Sequence, residues 1–296
     1  MSLLDIKIHK PRTIAEALKL FGEMEGARFL AGGTDLLVDI KQGLVDAENL
    51  ISLRHIEDLN GIKKNRGRIN IGALVTPREI ISSDLVCSFV PSLADAARSM
   101  ASEHIRSMAT IGGNIVSAVP SADLPPALIA GEAVIRMDCG KSRETKLSDF
   151  FLGPRKTVCE QGEILTSVLV PILPAQSGVS YQKLGLREAN ALAVVGVAAR
   201  LTLDQGRIKK AAIVLGAVAP TPVMATSASE MLIGKTPSDS LFREAALLAR
   251  EEGKPISDIR GSVWYRKNMI QILTRRALDE ALVRAQSRKE GGDELP

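Results

Sequence analysis

Phe29-Leu30-Ala31-Gly32-Gly33-Thr34-Asp35-Leu36 is the stretch on which the fold turns, and it has a partner later in the chain, Thr110-Ile111-Gly112-Gly113-Asn114-Ile115. Each reads as a short apolar strand entering a Gly-Gly pair, followed by a small polar residue and more apolar chain. Glycine reaches positive φ without the penalty of a Cβ, so each pair can turn its N–H groups toward one concavity. A row of such amides is an anion site, and a helix starting directly after it adds the positive end of its dipole. One Gly-Gly pair is ordinarily a turn and nothing more. Two with matching flanks point to a two-sided grip on a diphosphate.

Outward from the first pair, the local patterns give a small α/β lobe. Leu4 to Ile8 alternates as a strand. Thr13-Ile14-Ala15-Glu16 is a capping box opening a helix whose apolar stripe is Ile14, Ala17, Leu18 and Phe21, stopping near Gly22. Arg28 to Ala31 is a strand, and Thr34 or Asp35 then caps a short helix through Leu36, Leu37 and Ile40. From Asn49 a second lobe begins, with short strands at 50–53, 61–63 and 68–72, and a helix opened by Thr76-Pro77. Helical spacing follows Pro91, with Leu93, Ala96, Ala97 and Met100 on one face; Ser121-Ala122-Asp123 introduces another helix after the second pair. Strands resume at 133–137 and 164–170.

Pro171 to Gly178 reads as a linker. Beyond it come strands at 179–184, 195–203 and 208–215, the last two joined by a hairpin turn at Asp204-Gln205-Gly206-Arg207. Helices follow at 225–232, 238–252 and 263–285, the last with a core stripe of Val263, Ile270, Leu273, Ala277 and Ala281.

The bulk properties exclude several classes. The 296 residues suffice for two domains, and a net charge of +4 without interleaved aromatics argues against nucleic acid. Cys87, Cys139 and Cys159 have no short spacing, so this chain alone builds neither a disulfide framework nor a zinc or iron–sulfur site. His9, His55 and His104 share no helical face, which argues against a metal site. With no signal-peptide pattern and no apolar run near membrane length, the expectation is a cytoplasmic protein with no membrane partner.

Known catalytic patterns are also missing. G-x-G-x-x-G, G-x-S-x-G and H-E-x-x-H are absent. Ser229 to Thr236 imitates a P-loop but has Ser where the first Gly belongs and follows a helical pattern, so it reads as a loop. Glu103-His104 reads as a surface pair. What remains is the two glycine stretches with Asp123 and Lys183. Taken singly, Asp123 is as readily a helix N-cap and Lys183 a solvated strand lysine.

Ala31-Gly32-Gly33-Thr34-Asp35, then Ala109 to Ile115, then Pro120 and Asp123, closely resemble the FAD-binding (medium) subunit of the molybdenum hydroxylase family, of the xanthine dehydrogenase, carbon monoxide dehydrogenase and nicotinate dehydrogenase kind. The similarity continues through Gly162 to Leu165, Tyr181 to Lys183, Ala193 to Ala198 and Gly261 to Arg266, nearly the whole chain. The resemblance implies an α+β fold: a two-lobed FAD-binding domain of the vanillyl-alcohol oxidase type over 1–175, with lobes of about 1–48 and 49–175. A C-terminal domain of the CO dehydrogenase flavoprotein type, a three-stranded antiparallel sheet with helices, would cover 176–286, and 287–296 would be a disordered tail.

The same resemblance implies noncovalent FAD. Phe29, Leu30, Ala31, Gly32, Gly33, Thr34, Asp35 and Leu36 would wrap one side of the diphosphate and Thr110, Ile111, Gly112, Gly113 and Asn114 the other. Ala101 and Leu165 would approach the flavin, Asp123 would bind ribityl or ribose hydroxyls, and Lys183 would reach the cofactor across the domain junction. Ala191 departs from the family, in which many members carry Asp there. No side chain is expected to be catalytic. A molybdenum-cofactor subunit and a small iron–sulfur subunit would be the partners, with electrons leaving to NAD(P) or another acceptor. The substrate expected for the complex is an N-heterocycle such as nicotinate or a purine. A stand-alone flavin reductase of the same superfamily and a structural subunit with a vacant flavin site are the alternatives.

Overall fold

In a computed structural model that describes residues 6–288, two lobes and a C-terminal domain meet around one cleft. Leu4 and Asp5 of the expected first strand, and residues 289–296 of the expected tail, lie outside the described residues.

The first lobe consists of β1 (Lys7–His9), α1 (Ile14–Glu23), β2 (Ala27–Leu30), α2 (Leu36–Lys41) and β3 (Asn49–Ser52). Its strands pair in parallel in the order β1-β3-β2. Parallel neighbours cannot be joined by a hairpin, so α1 and α2 act as crossovers. Thr13 caps α1 by accepting the Glu16 N–H at 3.1 Å, but the Glu16 carboxylate takes the N–H of Arg12 instead of Thr13, so the expected capping box is half made. Sequence spacing assigns Asn49 to the second lobe; β3 instead lies between β1 and β2. Its Leu50 and Ile51 are buried, and a buried strand needs partners on both sides for its backbone.

The second lobe contains β4 (Ile62–Asn65), β5 (Arg68–Gly72), α3 (Pro77–Ser82), α4 (Asp84–Phe89), α5 (Pro91–Ser99), α6 (Glu103–Arg106), α7 (Ile111–Val116) and α8 (Leu124–Ala130). It continues with β6 (Val134–Asp138), β7 (Ser142–Lys146), the small hairpin of β8 (Phe151–Gly153) and β9 (Lys156–Thr157), and β10 (Ile164–Pro171). The main sheet is antiparallel in the order β4-β5-β10-β6-β7. Ile69, Ile71, Ile135, Met137 and Val168 enter a core with the helices, while Lys63, Asn70 and Arg136 take the alternate, more exposed positions.

The C-terminal domain comprises β11 (Ser177–Gly185), β12 (Ala193–Asp204), β13 (Arg207–Gly216), β14 (Val223–Met224), α9 (Thr226–Leu232), α10 (Asp239–Glu252) and α11 (Val263–Ser287). The three long strands are antiparallel, and β14 adds a two-residue edge strand to the three expected. Gln205 and Gly206 take φ values of +48° and +75° in the hairpin turn between β12 and β13. The look-alike of a P-loop lies at the end of α9 and in the turn after it, so a helix and not a strand runs directly into it. The expected stripe of α11 is buried at Ile270, Leu273, Ala277 and Ala281; Val263, in the first turn, is exposed. Among the described residues no helix is long and apolar enough to cross a membrane.

The alternation along β12 explains how the domains are joined. Val195, Val197, Ala199 and Leu201 pack against α10 and α11, whereas Ala198, with Val179, Tyr181 and Val214 of the neighbouring strands, belongs to the same core as α5 and α8. The sheet is therefore covered on both faces, and the second lobe and the C-terminal domain share one hydrophobic core. Gly178 lets α11 settle onto β11: a Cβ there would stand 2.0 Å from the Ala281 carbonyl oxygen.

Candidate functional site

β2 ends at Leu30 and runs into the first glycine pair. Only Gly33 is left-handed, at φ +75°. Gly32 is required for space, since a Cβ would lie 2.1 Å from the carbonyl oxygen of Met108. No N–H group from Gly32 to Leu36 has a partner among the described residues, and these residues line the cleft. The row of amides leads into α2, as the anion-site reading requires. Asp35 occupies the cap position of α2 but makes no capping bond. Its carboxylate instead accepts the Ser117 hydroxyl proton at 2.6 Å, which ties the first glycine stretch to the end of α7.

The second stretch is built differently from expectation. Thr110 is the N-cap of α7, accepting the Gly113 N–H at 3.0 Å, and both glycines lie inside that helix without positive φ. The Ile111 and Gly112 N–H groups donate to Val75 and Ala73 carbonyls at 2.9 Å, and Asn114 donates to Thr110 at 2.9 Å. Amides committed to these acceptors are not free for an anion, so the grip is not symmetric. The glycines serve close packing here: a Cβ on Gly112 would lie 2.8 Å from the Ala73 carbonyl oxygen. What this side offers the cleft is the Asn114 side chain, whose Oδ1 is buried without a partner.

Between the two stretches lies a cleft of about 800 Å³, large for a small-molecule site. Phe29, Ala101 and Leu165 give it apolar surface, and Phe29 stacks on Phe21 with ring centroids 4.7 Å apart. Ala101 holds φ +44°, a strained value for a residue with a Cβ, and its carbonyl accepts from Arg106 at 3.3 Å and the Asn190 N–H at 3.1 Å. Asn190 belongs to the loop after β11, so the C-terminal domain supplies one wall, with Arg187 and Leu192. The Arg155–Asp39 ion pair also lines the cleft, with Nη1–Oδ2 at 2.5 Å and Nη2–Oδ1 at 3.1 Å. Neither Asp39 nor Arg155 is legible as a site residue in the sequence, because the partners are far apart in the chain. The loop at 187–192 is equally silent; its only signal is the family departure at Ala191.

Of the expected site residues, Leu30, Ile111 and Lys183 do not line the cleft. Ile111 is core. Lys183 does cross the domain junction, but an ammonium has three N–H donors and all are used inside the protein. They go to the Ser99 carbonyl at 2.9 Å, Asp123 Oδ2 at 2.8 Å and the Ala191 carbonyl at 2.9 Å. Asp123 lines the cleft at the start of α8 without capping it; its other oxygen accepts from the Tyr181 hydroxyl at 3.1 Å. Burial pushes the Asp123 carboxyl up from its ordinary value, against the opposing pull of Lys183 and Tyr181. Burial and the adjacent Asp123 raise Tyr181 well above the ordinary phenol range.

Glu163, which is buried, also lines the cleft. Burial alone would raise its carboxyl, but Arg143, bonded to both oxygens at 2.7 Å, and the Glu160 N–H at 3.0 Å outweigh burial and hold it below the ordinary range. A depressed carboxyl stabilises the fold above the unfolded-state value and stops doing so as pH falls through the folded one. Melting curves of the wild type should therefore fall as the pH drops below about 5. Arg143→Met should lower the melting temperature at neutral pH and flatten that acid slope, because the Glu160 N–H and the Cys159 thiol are then all that oppose burial at Glu163. Parallel curves for the two proteins would disprove the assignment. The nearby Cys159 thiol is pushed up to about 12, chiefly by burial, and is thus a poor nucleophile.

Comparison with known proteins adds an independent line. Residues 4–173 match the family described as the FAD binding domain in molybdopterin dehydrogenase, and residues 180–281 the CO dehydrogenase flavoprotein C-terminal domain. The glyceraldehyde dehydrogenase medium chain of Sulfolobus acidocaldarius is 33% identical over 272 residues, covering 92% of this chain and 96% of that one. Among solved structures, carbon monoxide dehydrogenase from Hydrogenophaga pseudoflava superposes with a TM-score of 0.91 at 32% identity, covering 96% of this chain and 99% of the other. Quinoline 2-oxidoreductase from Pseudomonas putida 86 gives a TM-score of 0.90 at 29% identity, with the same coverage.

Proposed function

Because this chain belongs to the FAD-binding subunits of the molybdenum hydroxylases, we propose that it is the electron-transfer subunit of such a complex, holding FAD noncovalently in the cleft between the glycine stretches. The row of unpartnered amides from Gly32 to Leu36 carries this reading. Those N–H groups suit a diphosphate, with charge-assisted hydrogen bonds replacing its water. The buried, partnerless oxygen of Asn114 suits a hydroxyl or amine donor of the same ligand; with the amide turned over, its NH₂ offers a donor to phosphate. Phe29, Ala101 and Leu165 supply apolar surface for the ring system. Asp123 keeps an acceptor lone pair for ligand hydroxyls, and Lys183 acts from behind by positioning Asp123 and the 187–192 wall.

When bound, FAD accepts electrons singly or in pairs and supplies the redox chemistry itself. The protein contributes binding, orientation and exclusion of water, so none of its side chains acts as an acid or base. We assign the molybdenum cofactor and the iron–sulfur clusters to partner chains, and NAD(P) or another carrier to the outgoing electrons. For the substrate we propose an N-heterocycle such as nicotinate or a purine; the similarity to quinoline 2-oxidoreductase supports that class. A small aldehyde or carbon monoxide is the second reading, favoured by the higher identities to the glyceraldehyde and carbon monoxide enzymes. The free thiols Cys87, Cys139 and Cys159 accord with a reducing compartment, which we take to be the cytoplasm.

The isolated chain, purified and reconstituted with FAD, should show flavin absorbance at one equivalent per chain. Absence of flavin bands after reconstitution would sink the proposal. A substrate screen on the complex isolated through a tag on this chain separates N-heterocycles from aldehydes and carbon monoxide.

A further inference from the structure

Four carboxylates face the cleft: Asp35, Asp39, Asp123 and Glu163. A lining of that kind should repel a doubly charged diphosphate. Two of the four are answered by cations that do not line the cleft, Asp123 by Lys183 and Glu163 by Arg143. The other two stand beside the row of free amides, Asp35 within it and Asp39 in α2 just beyond it. They are one helical turn apart, joined by the Asp39 N–H to Asp35 carbonyl bond at 2.9 Å, and so share a face. Asp35 is exposed, and its carboxylate meets the Ser117 hydroxyl. Asp39 is buried, so water and salt screen it poorly. The cation that meets it is Arg155, which grips both of its oxygens.

Arg155 is brought there by an uncommon backbone. It follows Pro154 in the turn between β8 and β9 at φ +58°, a position that suits glycine and strains a residue with a Cβ. Its N–H donates at 2.9 Å to the carbonyl of Ala118, itself left-handed at φ +46°. Ser117, the neighbour of Ala118, holds Asp35. One short clasp from the second lobe, Ser117-Ala118 with Arg155, therefore meets both carboxylates of the first. Stability alone does not ask for this arrangement, since apolar side chains in place of a buried charge pair are often neutral or stabilising. The other arginine that lines the cleft, Arg187, spends Nε and Nη2 on the Asn190 carbonyl of its own loop.

We propose that Arg155 is a positioning residue for the diphosphate: by cancelling the Asp39 charge, it leaves the amides of Gly32 to Leu36 attractive to an anion. The proposal rests on the function proposed above and deepens it with a residue outside both glycine stretches. Arg155 acts here through Asp39, not by touching the ligand. The sign of the effect therefore differs between the two partners of one ion pair. Losing the arginine uncovers a negative charge beside the phosphate seat, whereas losing the aspartate removes that charge.

The test is calorimetric titration of the full chain, stripped of flavin, with two probes. ADP carries the adenosine and diphosphate of FAD without the flavin; riboflavin carries the ring without phosphate. Arg155→Met should raise the dissociation constant for ADP about 10-fold or more, because like charges are left face to face. Its affinity for riboflavin should stay that of the wild type. Asp39→Asn breaks the same ion pair, so both variants should melt below the wild type. Yet Asp39→Asn should bind ADP as tightly as the wild type or more so. Asp39→Asn/Arg155→Met lacks both charges and should return to wild-type affinity for ADP. Weaker ADP binding in Arg155→Met and Asp39→Asn alike would make the pair a mechanical clasp and overturn the proposal. An equal loss of riboflavin in Arg155→Met would do the same. A double variant as weak as Arg155→Met would make the arginine a direct phosphate ligand, which also overturns it. Wild-type ADP affinity in Arg155→Met would end the proposal and leave the reading of the cleft standing. If the wild type binds neither ADP nor FAD, the reading of the cleft fails and this inference falls with it.

Discussion

Gly33→Val should give a folded chain that leaves purification without flavin. Gly33 sits at φ +75°, where a β-branched residue pays at least about 1–2 kcal/mol in backbone strain. A Cβ there would already lie 3.0 Å from Leu37 Cδ1 and 3.1 Å from Leu30 Cδ1, before the two methyl groups of valine are placed. Relief requires the turn to rotate, which re-aims the N–H groups of Gly32 to Leu36. Loss of two hydrogen bonds to a charged diphosphate costs about 3–6 kcal/mol, a fall in FAD affinity on the order of a hundred- to ten-thousand-fold. Gly43→Val is the control. Gly43 is also left-handed, at φ +71°, but has open space around it and lies off the cleft. It should lose similar stability and keep its flavin. Titration calorimetry with FAD on both variants decides the point; equal affinities would end the case for the first glycine turn as the phosphate seat.

Lys183→Met should be the most destabilising substitution at the domain junction. It leaves the buried Asp123 carboxylate without its counter-charge and frees the carbonyls of Ser99 and Ala191. Breaking one side of a buried pair costs about 3–5 kcal/mol, which corresponds to a drop of roughly 6–20 °C in melting temperature. The deficit should depend on pH. Without Lys183, burial lifts the Asp123 carboxyl further, and a carboxyl raised above its unfolded value loses stability as pH climbs through the folded value. The variant should therefore lie nearest the wild type in acid and fall away as pH rises. Asp123→Leu/Lys183→Met removes both charges and should recover most of the loss. Strict additivity of the two single substitutions in a double-mutant cycle would show that the two groups do not act as a pair.

Much of this architecture was legible because its signals are local. The hairpin turn at Gln205-Gly206, the helix opened by Thr76-Pro77 and the buried runs of β11 to β13 each follow from a few neighbouring residues. β7 was not, for a physical reason: Ser142-Arg143-Glu144-Thr145-Lys146 is an edge strand with no fully buried residue, so it carries no apolar alternation to read. The second glycine stretch reads locally as a turn because the acceptors that hold it as a helix start, the carbonyls of Ala73 and Val75, lie far away in sequence. Lys183 misleads in the same way. Its reach across the junction was expected, but whether it ends on a ligand or on Asp123, Ser99 and Ala191 depends on three separate segments. The pattern of residues locates the cleft; the assignment of each hydrogen bond within it is tertiary.

The core shared by α5, α8 and the β11–β13 sheet has a consequence for biosynthesis. During synthesis the glycine stretches leave the ribosome well before Lys183 and Asn190, so the nascent N-terminal lobes hold a half-walled site with apolar helix faces open to water. Cofactor loading must then wait until the last helix, α11, has emerged and seated on the sheet. A fragment ending near the linker should aggregate instead of binding flavin, and cells short of riboflavin should accumulate complete but empty chains, not truncated ones.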